Sequence, residues 1–232
     1  MMKIQAKSND SKKGKKIRVV LLDLDGTVIK SAFKVDEAKT ALVEKLKQLG
    51  LDISTISVND TFMDIIMKAE KQASENKKLD LESLRKSMSG VLDKFDIQAI
   101  SQSELIKGAK PVISQLRNRG IKLGLITNSG RIGVKMALEK FGLVGCFDVA
   151  ITRNDVKRVK PSGEIIQKAL SVLGCVPNET AYVGDSWADV LAAKDAGVIA
   201  IAIIGGISPK EKLVQVSPDI TISSLDELLR IV

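Results

Sequence analysis

Short stretches spread along this chain carry residues that could do chemistry together. Asp23 and Asp25 stand two residues apart, ahead of Gly26 and Thr27. Thr127, Asn128 and Ser129 are consecutive, Lys160 precedes Pro161, and Asp185 is followed four residues later by Asp189. Four carboxylates gathered at one place repel one another and raise each other's pKa. A divalent cation removes that repulsion, and hard oxygen ligands at this density suit Mg2+, which binds through carboxylates, waters and phosphate oxygens. Either Asp23 or Asp25 could then act as a nucleophile toward phosphorus, with the other as acid/base. The hydroxyls of Thr127 and Ser129, backbone N–H groups and Lys160 would meet the equatorial oxygens of a phosphoryl group in transfer. Each piece alone has an ordinary reading: a single Asp at a strand end is commonly a cap or turn residue. Convergence of all of them on one rim is what points to a site.

The elements that must position these residues are legible in the hydrophobic pattern. Ile17 to Asp23 reads as a strand buried on both faces, of the kind found in parallel sheets. From about Asp36 to Ser103 the apolar residues recur at three and four, predicting three amphipathic helices through Ala38–Leu49, Phe62–Ala69 and Leu81–Leu92. Asn59 or Asp60, and Asp80, are the expected N-caps, and Gly50 a C-terminal stop. From Gly108 onward helices and strands alternate. Helices are expected near 109–119, 132–141, 163–173, 188–196 and 225–230, and strands near 121–127, 147–152, 181–185, 198–204 and 220–222. That alternation predicts a doubly wound α/β core with a parallel sheet, interrupted by a helical insertion. In such sheets ligands bind beyond the carboxyl ends of the strands, which is where the residues above fall.

Composition narrows the field. Among 232 residues there is no histidine, which excludes Ser-His-Asp triads, Cys-His dyads and His-ligated zinc or haem. The two cysteines, Cys146 and Cys175, fit neither a four-thiolate site nor a disulfide scaffold and are expected as small apolar core residues. With 44% hydrophobic and 28% charged residues the chain can bury a core. Aromatics at 3% argue against a base-stacking platform for single-stranded nucleic acid. The apolar run Val198–Ile204 is far short of the roughly 20 residues of a membrane span. With no stretch of signal-peptide form, the expectation is a cytoplasmic protein. The net charge of +8 is uneven: residues 1–16 carry +5, 17–27 carry −1, 28–107 are neutral and 108–232 carry +4. The lysine-rich residues 1–16 are expected to be a disordered, solubilising tail, with weak contact to a nucleic-acid backbone as the sharper alternative.

These motifs resemble those of the haloacid dehalogenase-like (HAD) superfamily. Asp23-Leu24-Asp25-Gly26-Thr27 matches its first motif, Thr127-Asn128-Ser129 the second, Lys160-Pro161 the third, and Gly184-Asp185-Ser186-Trp187-Ala188-Asp189 the fourth, in family order. The resemblance implies a Rossmann-like core over 17–27 and 108–232, with residues 28–107 as an inserted α-helical cap domain. It implies that Asp23 is the nucleophile and forms an aspartyl-phosphate. Asp25 would be the acid/base, with its backbone carbonyl on Mg2+. Thr127 and Lys160 would hold phosphoryl oxygens, Asp185 would ligate the metal, and Asp189 would ligate it or position a metal-bound water. Gly26, Asn128 and Ser129 would join the substrate contacts. Val28–Ser31 and Lys107–Gly108 look like hinges of the cap.

Within that superfamily the dehalogenases lack the second aspartate, so the resemblance implies a phosphatase. The resemblance is to phosphoglycolate phosphatases and other hydrolases of small phosphorylated metabolites, monomeric or homodimeric. Inorganic pyrophosphatase and phosphosugar mutase activity stand as alternatives within the superfamily. The mutases typically use a cap-side histidine, which this chain lacks. Phosphonate-cleaving members use a Schiff-base lysine in the cap, an option that Lys30, Lys34 and Lys39 leave open. A receiver-like signalling module also uses acids, a Thr and a Lys around an aspartyl-phosphate, but has no cap.

Overall fold

A computed structural model describes residues 16–75 and 79–232. The expected basic tail therefore lies outside the described residues except for Lys16. Contact density divides the chain into two units. One comprises the chain up to Lys30, Glu104–Asn128 and Phe141–Val232; the other comprises Ser31–Ser103 and Ser129–Lys140.

The first unit is built on a parallel six-stranded sheet. Its strands are β1 (Val19–Leu22), β4 (Lys122–Ile126), β5 (Val149–Ile151), β6 (Thr180–Gly184), β7 (Ile199–Ile203) and β8 (Ile220–Ile222). They lie in the order β5-β4-β1-β6-β7-β8, with every neighbouring pair parallel. The expected doubly wound α/β core is present. Every residue of β1, β6 and β7 is buried, because helices cover both faces. Those helices are α4 (Ala109–Asn118), α6 (Glu164–Leu173) and α7 (Trp187–Asp195), followed by the short α8 (Lys210–Gln215) and α9 (Leu228–Ile231). Val19, Leu21, Ile165, Ile166, Ala169 and Ala192 pack into one apolar cluster. The strand order reverses around β1, so the ends of β1, β4 and β6 border the crevice of such a sheet.

Helices α1 (Val35–Gln48), α2 (Phe62–Glu75), α3 (Leu81–Gln102) and α5 (Arg131–Lys140) form the second unit. Its core joins Leu42, Leu46, Ile65, Ala69, Leu84 and Met88, the residues whose spacing predicted the helices. Asp80 caps α3 by accepting the Ser83 N–H at 2.7 Å. At α2 the cap is Thr61 rather than Asn59 or Asp60. Its hydroxyl accepts the Asp64 N–H while the Asp64 carboxylate accepts the Thr61 N–H, a reciprocal pair that neither neighbour can form at that register. Helix α5 follows a core strand in sequence but groups with the insertion.

Several short features differ from the sequence expectation. Two-residue strands β2 (Ile29–Lys30) and β3 (Glu104–Leu105) pair antiparallel where the chain leaves and re-enters the first unit. Residues 225–230 begin as a 3-10 turn before α9. Cys146 and Cys175 are half-buried free thiols rather than core residues. Cys175 sits at the edge of the apolar cluster, just past α6. Among the described residues no helix is long and apolar enough to cross a membrane.

Candidate active site

The site is assembled from the carboxyl ends of β1, β4 and β6 and the turn that carries Lys160, all in the first unit. Asp23 follows β1 directly, is 5% exposed, and donates its N–H to the Val183 carbonyl, which ties it to β6. The chain then turns sharply: the Leu24 carbonyl accepts the N–H groups of Val28 and Ile29 at 2.9 Å, and Gly26 takes a positive φ of 85°. Thr127 follows β4 and is fixed by its N–H to Ile151. Its hydroxyl donates to Asp25 Oδ2 at 3.4 Å.

Lys160 is the hub. Its Nζ donates to Asp23 Oδ1 at 2.7 Å, to Asp189 Oδ1 at 2.6 Å and to the Tyr182 hydroxyl at 2.9 Å. Asn128 holds the backbone that delivers it: the amide accepts the Lys160 N–H at 3.0 Å and donates to the Lys160 carbonyl at 3.1 Å. Burial works against charge on Lys160, but the Asp189 and Asp23 carboxylates outweigh it and hold its pKa above the usual lysine value. Asp23 is pushed the other way. Burial raises its pKa well above the ordinary value, and Asp189, Asp25 and Asp185 add to the rise against Lys160 alone. Among the described residues of this cluster, the Lys160 cation is thus set against four acids.

Asp185 and Asp189 complete the cluster. Asp189 is the third residue of α7 and closes a capping box with Ser186, so its Oδ2 accepts from the Ser186 N–H and hydroxyl while Oδ1 accepts from Lys160 and Tyr182. Asp185 is fully buried, and its Oδ2 accepts the Ile207 N–H at 2.6 Å. Its Oδ1 has no hydrogen-bond partner among the described residues. Burial, reinforced by Asp189, lifts its pKa to about 6, with the Ile207 bond opposing. Glycines make room for this carboxylate: a Cβ on Gly26 would fall 2.0 Å from Asp185 Oδ2, and one on Gly206 would fall 2.2 Å from it.

The arrangement fits a hard cation. Carboxylate oxygens of Asp23, Asp185 and Asp189 lie within 4.8 Å of one another, and a buried acceptor left unpartnered is costly unless something binds it. The other groups suit a phosphoryl anion, with a carboxylate held by an ammonium and a hydroxyl nearby.

Of the residues singled out in the sequence, Asp23, Lys160, Asp185 and Asp189 meet in one cluster, with Asp25 and Thr127 linked to each other beside it. Gly26 enters through its closeness to Asp185, and Asn128 through the Lys160 backbone. Ser129 lies one residue further on, in the turn toward α5. Two features were not singled out. Tyr182 is buried and hydrogen-bonded to Lys160 and Asp189; the signal was a lone hydroxyl among apolar residues of β6. The Gly206–Ser208 turn supplies the Ile207 N–H to Asp185 and the Ser208 hydroxyl to the Trp187 N–H.

Comparison with known proteins agrees with this geometry. A family model described as haloacid dehalogenase-like hydrolase matches residues 17–197. A pyrophosphatase PpaX of Bacillus cereus AH820 is 30% identical over 223 residues, covering 93% of this chain and 96% of that protein. A predicted phosphatase from Clostridium acetobutylicum superposes with a TM-score of 0.66 at 21% identity, over 93% of this chain and 98% of that one. A predicted phosphoglycolate phosphatase from Haemophilus somnus superposes with a TM-score of 0.63 at 20% identity, over 93% and 97%. Motif order, site geometry and these matches lead to one conclusion: the chain belongs to the haloacid dehalogenase-like hydrolases.

Proposed function

We propose that this protein is a Mg2+-dependent phosphatase acting on a small phosphorylated compound through an aspartyl-phosphate on Asp23. The observation that carries this reading is the Lys160 ammonium held between Asp23 and Asp189, beside the unpartnered Asp185 Oδ1. Asp23 attacks phosphorus while the leaving oxygen takes a proton from Asp25. Asp25 then accepts a proton from the water that hydrolyses the acyl phosphate, so it ends as it began. Lys160 and the Thr127 hydroxyl offset charge on the phosphoryl oxygens. Asp23, Asp185 and Asp189, with the Asp25 backbone carbonyl, would hold the Mg2+, which supplies positive charge to the phosphoryl oxygens and offsets the surplus of carboxylates.

A second reading, inorganic pyrophosphate as the substrate, is favoured by similarity to PpaX along nearly the whole chain. The test is phosphate release from phosphoglycolate, pyrophosphate and a generic aryl phosphate, each with Mg2+ and with EDTA. Mg2+-dependent release is expected from at least one. Preference for pyrophosphate would select the second reading, and no release from any would overturn both.

A further inference from the structure

Helix α5 begins immediately after the turn Thr127–Gly130, and the way its first turn is capped is unusual. The Gly130 carbonyl accepts the Val134 N–H, so Gly130 occupies the N-cap position. It has no side chain with which to cap. In a capping box the N-cap N–H is taken by a carboxylate or amide three residues later, but that position here is Gly133. The missing carboxylate arrives instead from α3: Asp96 Oδ2 accepts the Gly130 N–H at 2.8 Å, across 34 positions of sequence. Gly133 makes this possible, since a Cβ there would fall 2.9 Å from the Asp96 Cβ. Asp96 is only 2% exposed, and its negative charge meets the positive end of the α5 dipole. The exchange runs both ways. Lys140, the last residue of α5, donates to the carbonyls of Ile100, Ser101 and Ser103 at the end of α3. By contrast α7, which follows the turn carrying Asp185, closes its capping box locally through Ser186 and Asp189.

We propose that Asp96 is a positioning residue for the Thr127–Gly130 turn, so that the helical insertion fixes the downstream end of the phosphoryl-binding turn. The upstream end is fixed by the Thr127 N–H to Ile151 and by the Asn128 amide on Lys160. This inference rests on the assignment of Thr127 to the phosphoryl group under the proposed function. Its test therefore has one arm that needs no activity. Asp96→Ala, Asp96→Asn and Gly133→Ala are compared with the wild type by amide hydrogen exchange across residues 127–131 and by kcat/KM for an aryl phosphate. Asp96→Ala is expected to speed exchange in this segment and lower kcat/KM, each ~10-fold, the scale of a lost hydrogen bond to a charged group. Asp96→Asn keeps a side-chain acceptor and is expected to stay within ~3-fold of wild type. Gly133→Ala, by displacing Asp96, is expected to behave like Asp96→Ala and serves if that variant fails to fold. Wild-type exchange at 127–131 in Asp96→Ala or Gly133→Ala would overturn the proposal, as would lost stability with unchanged kcat/KM or no rescue by Asp96→Asn. If the wild type hydrolyses nothing, the functional reading fails while the exchange arm still decides the role of Asp96.

Discussion

Lys160→Met replaces the buried ammonium with a side chain of similar length and no charge. In the folded protein that ammonium sits 2.7 Å from Asp23 and 2.6 Å from Asp189, with all three side chains almost wholly buried. Asp189 keeps Tyr182 and Ser186 as donors, so its loss is partial. Asp23 loses the ammonium bound to its Oδ1 and remains buried among three other acids. Removing one partner of a buried pair costs roughly 3–5 kcal/mol, because the remaining charge is uncompensated. At about 2–4 °C per kcal/mol for a protein of this size, the melting temperature without metal should fall by roughly 6–20 °C. Calorimetry with EDTA and with Mg2+ measures this. Because Mg2+ would also offset the acids, it should stabilise the variant more than the wild type. A variant melting within about 2 °C of wild type in EDTA, a cost well under the 3–5 kcal/mol of a broken buried pair, would refute the picture of one lysine set against a buried acid cluster.

Three further substitutions probe the same cluster. Tyr182→Phe removes a hydroxyl bonded to Lys160 and Asp189 but leaves their direct pairing intact, so it should cost about 1.5–3 kcal/mol in urea denaturation and lower kcat. Gly206→Ala drives a methyl into Asp185 Oδ2 and should weaken apparent Mg2+ affinity at least ~10-fold in metal-titrated assays, on the scale of losing the orientation of a ligand. Thr127→Val removes the hydroxyl at the end of β4 with little change in volume. It should reduce kcat/KM by ~100- to 1,000-fold, as measured from initial rates, the range seen when a donor to a developing charge is deleted.

Much of the architecture was visible in the chain itself, for a physical reason. A parallel strand buried on both faces must be apolar throughout, so Val19–Leu22 could be read directly, and so could the turn after it that carries Asp23 and Asp25. The insertion helices announced themselves because a half-exposed helix must repeat at three and four. What escaped notice lacks a local period. Strands β2 and β3 have two residues each, and α8 has six, too few to show a pattern. Tyr182 lies in an apolar strand whose pattern says only that it is buried; its bonds run to residues 22 positions ahead of it and seven beyond it. Asp96 follows the spacing of an ordinary helix face, and the fact that it caps another helix depends on packing between α3 and α5. The grouping of α5 with the insertion has the same origin, because neither helix encodes its partner in its own periodicity.

The proposed chemistry turns on Asp23 as the residue whose carboxylate accepts the phosphoryl group. The most direct measurement is acid quenching of the enzyme during turnover of a substrate labelled in its phosphoryl group, followed by mapping of the labelled peptide. The account predicts Mg2+-dependent label on the peptide containing Asp23, released by hydroxylamine and lost in Asp23→Asn together with turnover. Label on another residue, or sustained turnover by Asp23→Asn, would contradict it.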